Sequence, residues 1–113
     1  MENNQLLTSE LTVIASDVVF TGSFEVASEL HLYGKIVGEL HGKPGSLILL
    51  KEGSALDGKI FSDRIIIDGF VKGEISATQS IWITPRGRVV GTVNTPSLQI
   101  DPGAIFDARV KMF

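Results

Sequence analysis

Six times along this chain an apolar residue, any residue, a glycine, any residue and a second apolar residue recur in that order. The glycines are Gly22, Gly38, Gly58, Gly73 and Gly91, with Ala108 in the last copy. Their apolar flanks are Phe20/Phe24, Ile36/Leu40, Leu56/Ile60, Val71/Ile75, Val89/Val93 and Phe106/Val110. Upstream of each copy runs a pair of alternating apolar residues: Val13/Ala15, Leu30/Leu32, Leu47/Leu49, Ile65/Ile67, Ile81/Ile83 and Leu98/Ile100. These pairs step by 17, 17, 18, 16 and 17 residues. A short fixed period built of period-2 segments, with no helical pattern, is the mark of a stacked β-coil. The chain therefore reads as an all-β solenoid of about six coils of about 17 residues over residues 11–113, after a short tail over 1–10.

Alternation along a strand sends the two apolar residues of each copy inward, and the glycine with them, to a place where the coil interior is narrow. The residue two beyond is often small too, as in Gly42, Ser62, Ala77 and Thr95. Corners are expected at Pro44-Gly45, at Pro85, from Asn94 to Pro96, and at Pro102-Gly103. One coil cannot bury its own side chains, so stability accumulates as coils stack. At about 4.8 Å per coil, six coils make a rod of about 29 Å.

The 113 residues suffice for one domain and contain no cysteine, which fits a reducing cytoplasm. A formal charge of −3 with scattered Lys and Arg argues against a nucleic-acid surface. Residues 1–10 lack the pattern of a secretory signal, and no stretch approaches the roughly 18 apolar residues of a membrane-spanning helix. Glu2 after Met1 excludes N-myristoylation. The two histidines, His31 and His41, cannot make a three-histidine zinc site. Asp57, Asp63, Asp68, Asp101 and Asp107 fall at turns or outward positions, where solvated Asp is ordinary, and show no general acid and base spacing. Gly42-Lys43 precedes proline rather than the Ser or Thr of a phosphate-binding loop. No enzyme activity, cofactor or metal is expected.

The outward residues form two unlike ladders. Ser23, Glu39, Lys59, Glu74, Thr92 and Arg109 are polar. Ile14, His31, Ile48, Ile66, Trp82 and Gln99 form an apolar stripe, and Ile48, Ile66 and Trp82 are a candidate lateral or partner face. The bland alternative is that β-propensity alone selects such residues, or that the N-terminal segment covers them. Neither end carries an evident cap. Phe106, Val110, Met112 and Phe113 at one end, and Val13, Val18, Phe20 and Phe24 at the other, are candidate polymer interfaces, because an open coil edge templates further pairing. The competing reading of Met112 and Phe113 is a terminal chain that folds back and closes the core. The principal partner is a second copy of the chain.

Phrases such as Val71-Lys72-Gly73-Glu74-Ile75, set at steps of about 17 without catalytic residues, closely resemble the bactofilin family of bacterial cytoskeletal proteins. The likeness covers nearly the whole chain. It implies a right-handed, triangular parallel β-helix that assembles into filaments and sheets without nucleotide. Such filaments scaffold cell-wall or chromosome-segregation proteins in the cytoplasm, at the inner face of the cell membrane. It also implies growth through like ends, with an aromatic residue of the last coil in the contact; Phe106 or Phe113 holds such a place, Phe113 being terminal. The family's membrane-binding segment would map onto residues 1–7, where Met1, Leu6 and Leu7 are the apolar anchors. Such weak anchors need the avidity of a filament. Two other readings compete. One is a monomeric binding module using Ile48, Ile66 and Trp82. The other is a left-handed hexapeptide-repeat enzyme, disfavoured because the column glycines lie 15 to 20 residues apart.

Overall fold

A computed structural model describes residues 11–112. Those residues form ten strands, all paired in parallel: β1 (Thr12–Ile14), β2 (Val19–Val26), β3 (Glu29–Leu32), β4 (Lys35–Gly42), β5 (Leu47–Leu50), β6 (Ala55–Ile67), β7 (Phe70–Ile83), β8 (Arg88–Thr95), β9 (Leu98–Ile100) and β10 (Ile105–Met112). The strands that carry the repeated phrase stack β2, β4, β6, β7, β8, β10, and the short runs stack β1, β3, β5, then the second halves of β6 and β7, then β9. Each turn of chain thus lands on the one before it. The molecule is a parallel β-helix of about six coils.

Register puts like on like. Phe20, Ile36, Leu56, Val71, Val89 and Phe106 form one column; Phe24, Leu40, Ile60, Ile75, Val93 and Val110 form another. In the four middle coils every member of both columns is buried. A third inward column runs Val26, Gly42, Ser62, Ala77 on one stretch, with Thr95 beneath Met112 at the far end. Its polar members are satisfied: Ser46 and Ser62 hydroxyls bond at 2.6 Å, and Ser62 also donates to the Ser46 carbonyl at 3.1 Å. No buried side-chain polar atom among the described residues lacks a partner.

The column glycines do not point into a narrow interior, as the alternation predicts. Each is partly exposed and lies at a bend. At Gly58, φ is +144°, and an added Cβ would collide with the Gly38 carbonyl oxygen of the coil below. The strand turns a corner there, so the apolar residues on either side line two different walls. The crowding backbone is the neighbouring coil's, along the stack.

The short runs correct the sequence reading in two coils. The inward residues of β1 are Thr12 and Ile14, stacked on Leu30 and Leu32, and those of β5 are Ile48 and Leu50, stacked on Ile65 and Ile67. Val13 points outward and is 53% exposed, whereas Ile48 is fully buried. A one-residue change of register exchanges the two faces of a strand. Where both parities are apolar, the ladder to the next coil decides between them.

A second corner column escaped the sequence reading. Gly34, Ser54, Gly69, Gly87 and Ala104 each stand two residues before the first apolar residue of a phrase. A Cβ at Gly34 would meet the Val18 and Ala15 carbonyls, and one at Gly87 the Ile67 carbonyl. The fixed offset was a legible signal.

Candidate functional site

The end coils break the pattern of burial. In the last coil Phe106 stands on Val89, Val110 on Val93 and Met112 on Thr95. All three continue core columns, but with no coil above them among the described residues Val110 is 37% and Met112 58% exposed, and Phe106 is half-buried. Ile100 and Ile105 of the same coil are also exposed. Among the described residues β10 pairs only with β8, and β9 only with β7, so one backbone edge of each is unmatched by another strand. Phe113 lies outside the described residues.

The first coil is partly closed. Ile14 and Val26 are buried, and Phe20 and Phe24, half-buried over Ile36 and Leu40, hold their rings 5.1 Å apart. Val18 occupies the second corner, where its carbonyl accepts from the Lys35 amide at 3.0 Å, and its side chain is exposed. Val13 is not part of this apolar end: it belongs to the outer flank above His31. Met1, Leu6 and Leu7 lie outside the described residues.

The outer stripe is Val13, His31, Leu49, Ile66, Trp82 and Gln99. Leu49 therefore takes the place expected of Ile48, which belongs to the core. Leu49, Ile66, Trp82 and Pro85 line an open groove of about 560 Å³ together with Lys51 and Arg86. Trp82 is fixed by its indole N–H, which donates to Asp101 at 2.9 Å, and Gln99 holds the other carboxylate oxygen at 3.0 Å. These two hydrogen bonds hold the Asp101 carboxyl below the usual aspartate range.

Several aspartates expected to be merely solvated brace adjacent coils. Asp63 accepts from the Thr78 hydroxyl and the Gly45 amide, which lower its pKa. Asp68 is opposed by burial, but the hydrogen bonds from Thr84 and Arg86, with the charges of Arg86 and Lys51, outweigh it and hold the carboxyl low. Arg86 spans Asp68 at 3.1 Å and Glu52 at 3.0 Å, linking the corners of three successive coils. On the polar ladder Lys59 and Glu74 approach to 4.0 Å, while Glu39 pairs instead with His41 at 2.9 Å. Exposed pairs of this kind contribute about 0–1 kcal/mol. Among the described residues no group of three or more His, Asp or Glu is placed to hold a metal, and no helix is long and apolar enough to cross a membrane.

A family model described as "Bactofilin: Polymer-forming cytoskeletal" matches residues 12–111. Bactofilin BacP of Myxococcus xanthus (strain DK1622) is 29% identical over 101 residues, covering 89% of this chain and 41% of BacP. Bactofilin BacO of the same organism is 31% identical over 102 residues, covering 89% of this chain and 79% of BacO. The chain thus spans well under half the length of BacP. Among solved structures, a Thermus thermophilus bactofilin determined by cryo-EM as double helical filaments shares the fold at a TM-score of 0.84 and 16% identity, over 90% of this chain and 99% of that one. A six-coil β-helix with open apolar ends, matched almost throughout by the family model, places this chain in the bactofilin family of polymer-forming cytoskeletal proteins.

Proposed function

We propose that this chain is the subunit of a filament that grows without nucleotide by end-to-end stacking of β-helices, and that the filament scaffolds other proteins. The observation that carries this reading is the last coil. Phe106, Val110 and Met112 lie in the same columns as the buried core, yet present their upper faces and an unmatched strand edge to solvent. An apolar edge with free backbone donors and acceptors is complementary to another end coil and costly to leave in water. The end-to-end junction adds to what the subunit already does internally, coil on coil, so it needs no cofactor to drive it. In keeping with the family, the filament lies in the cytoplasm at the membrane and holds cell-wall or chromosome-positioning proteins.

The Leu49, Ile66 and Trp82 groove supports a second reading, a monomeric module that holds one partner on its flank. Negative-stain electron microscopy of purified protein in buffer free of nucleotide and metal separates the two. Long filaments support the scaffold. Monodisperse short particles at all concentrations would overturn it and shift the function to the groove.

A further inference from the structure

The outer flank carries a groove already shaped for an aliphatic occupant. Leu49, Ile66, Trp82 and Pro85 supply its apolar lining. The Trp82 side of it is 40% exposed, and the indole N–H is spent on Asp101, whose other carboxylate oxygen Gln99 holds. A ring fixed in this way does not fold down to close the groove, and it has no donor left for a peptide carbonyl. Cover for the surface has to come from apolar side chains. Lys51 lines the same groove and makes no salt bridge among the described residues, whereas Arg86 is held by Asp68 and Glu52. The groove therefore suits an aliphatic segment that also carries an acid. A segment of that kind is attached to the same flank. Val13 of β1 heads the column that runs through His31 and Leu49 to Ile66 and Trp82, so the chain enters the β-helix beside this stripe. With about 4.8 Å per coil and about 3.3 Å per residue along a strand, Leu49 lies about 12 Å from the place of Leu11, and Ile66 about 16 Å. Leu7 and Leu6, four and five residues before Leu11, reach about 13 and 17 Å when extended. Their neighbours Asn3, Asn4, Gln5, Thr8 and Ser9 are polar, and Glu2 supplies the acid.

We propose that the segment over residues 1–10 seats on the flank of its own subunit, with Leu6 and Leu7 in the groove of Leu49, Ile66 and Trp82 and Glu2 beside Lys51. A tether this short holds the leucines at an effective concentration on the order of millimolar, so a contact too weak to join separate molecules suffices. The seated segment closes the flank. An apolar partner gains the groove only by displacing it, which makes the segment a built-in competitor for that face. The inference concerns the flank alone and does not depend on how subunits join at their ends.

Trp82 is the one tryptophan of the chain, so its fluorescence reads the groove directly. In the full chain, Leu6→Ser/Leu7→Ser is expected to shift its emission to the red and to raise its acrylamide quenching constant at least twofold, while the β-helix melts within a few degrees of wild type. Unchanged emission and quenching would overturn the proposal. The chain contains no cysteine, so Leu7→Cys/Leu49→Cys tests the place of the contact. Oxidation of the two thiols with diamide should form a disulfide within one chain, read on a denaturing gel as a monomer that no longer takes up a thiol reagent. Covalent dimers would put the segment on a neighbouring copy, and thiols that stay free would put it away from Leu49; either result overturns the proposal and leaves the end-to-end reading standing.

Discussion

Replacing Val110 with arginine tests the assembly end most directly. Val110 stands on Val93 with 37% of its surface open. In a free subunit an arginine there lays its stem along the edge and keeps its guanidinium in water, so the fold should lose about 1 kcal/mol or less. In a stacked junction the same position is enclosed between coils about 4.8 Å apart. The flanking charges on β10 include Arg109 and Lys111, so the strand itself offers little compensation. An uncompensated buried charge costs about 3–5 kcal/mol. At 1.4 kcal/mol per tenfold, the junction weakens by roughly 150- to 4,000-fold. In a chain that grows by equal steps, mean length follows the square root of affinity, giving filaments roughly 12- to 60-fold shorter. Sedimentation velocity and electron microscopy at matched concentration measure this, with a thermal melt to establish that the subunit is folded. Val110→Arg filaments of wild-type length would refute the last coil as a junction.

The register can be tested with a pair of neighbours in the Val110→Arg background, where assembly adds far less to apparent stability. Ile48→Ala empties a fully buried site and should cost about 2–5 kcal/mol, whereas Leu49→Ala on the outer groove should cost about 1 kcal/mol or less; equal losses on melting would refute the assigned faces. Acid sensitivity follows from Asp63, Asp68 and Asp101, whose folded pKa values lie below the ordinary aspartate value. Their contribution is present above about pH 4 and is lost as pH falls through the lowered values. Asp68→Asn should therefore lower the melting temperature at pH 7 and flatten its fall below pH 4; a wild-type acid profile in that variant would remove Asp68 from the bracing.

The sequence alone determined the solenoid, the number of coils and the two columns that flank the glycine. At those positions a polar residue separates each apolar residue from the central small residue in every copy except at Val37 and Val90, so the repeat as a whole favours burial of one face. The end residues Phe106, Val110 and Met112 were legible for the same reason, as column positions of the last described coil. Only the tertiary structure decided the short runs. Leu47, Ile48, Leu49 and Leu50 are apolar at both parities, as are Val13 and Ile14, and the hydrogen-bond ladder to the adjacent coil chose Ile48 and Ile14 for the core. The glycine's task was also undecidable locally: the pattern shows that a side chain is excluded, but the excluding atom is a carbonyl 15 to 20 residues earlier, brought there by stacking. Likewise Arg86 meets Glu52, 34 residues away, because their corners overlie one another once the coils are stacked.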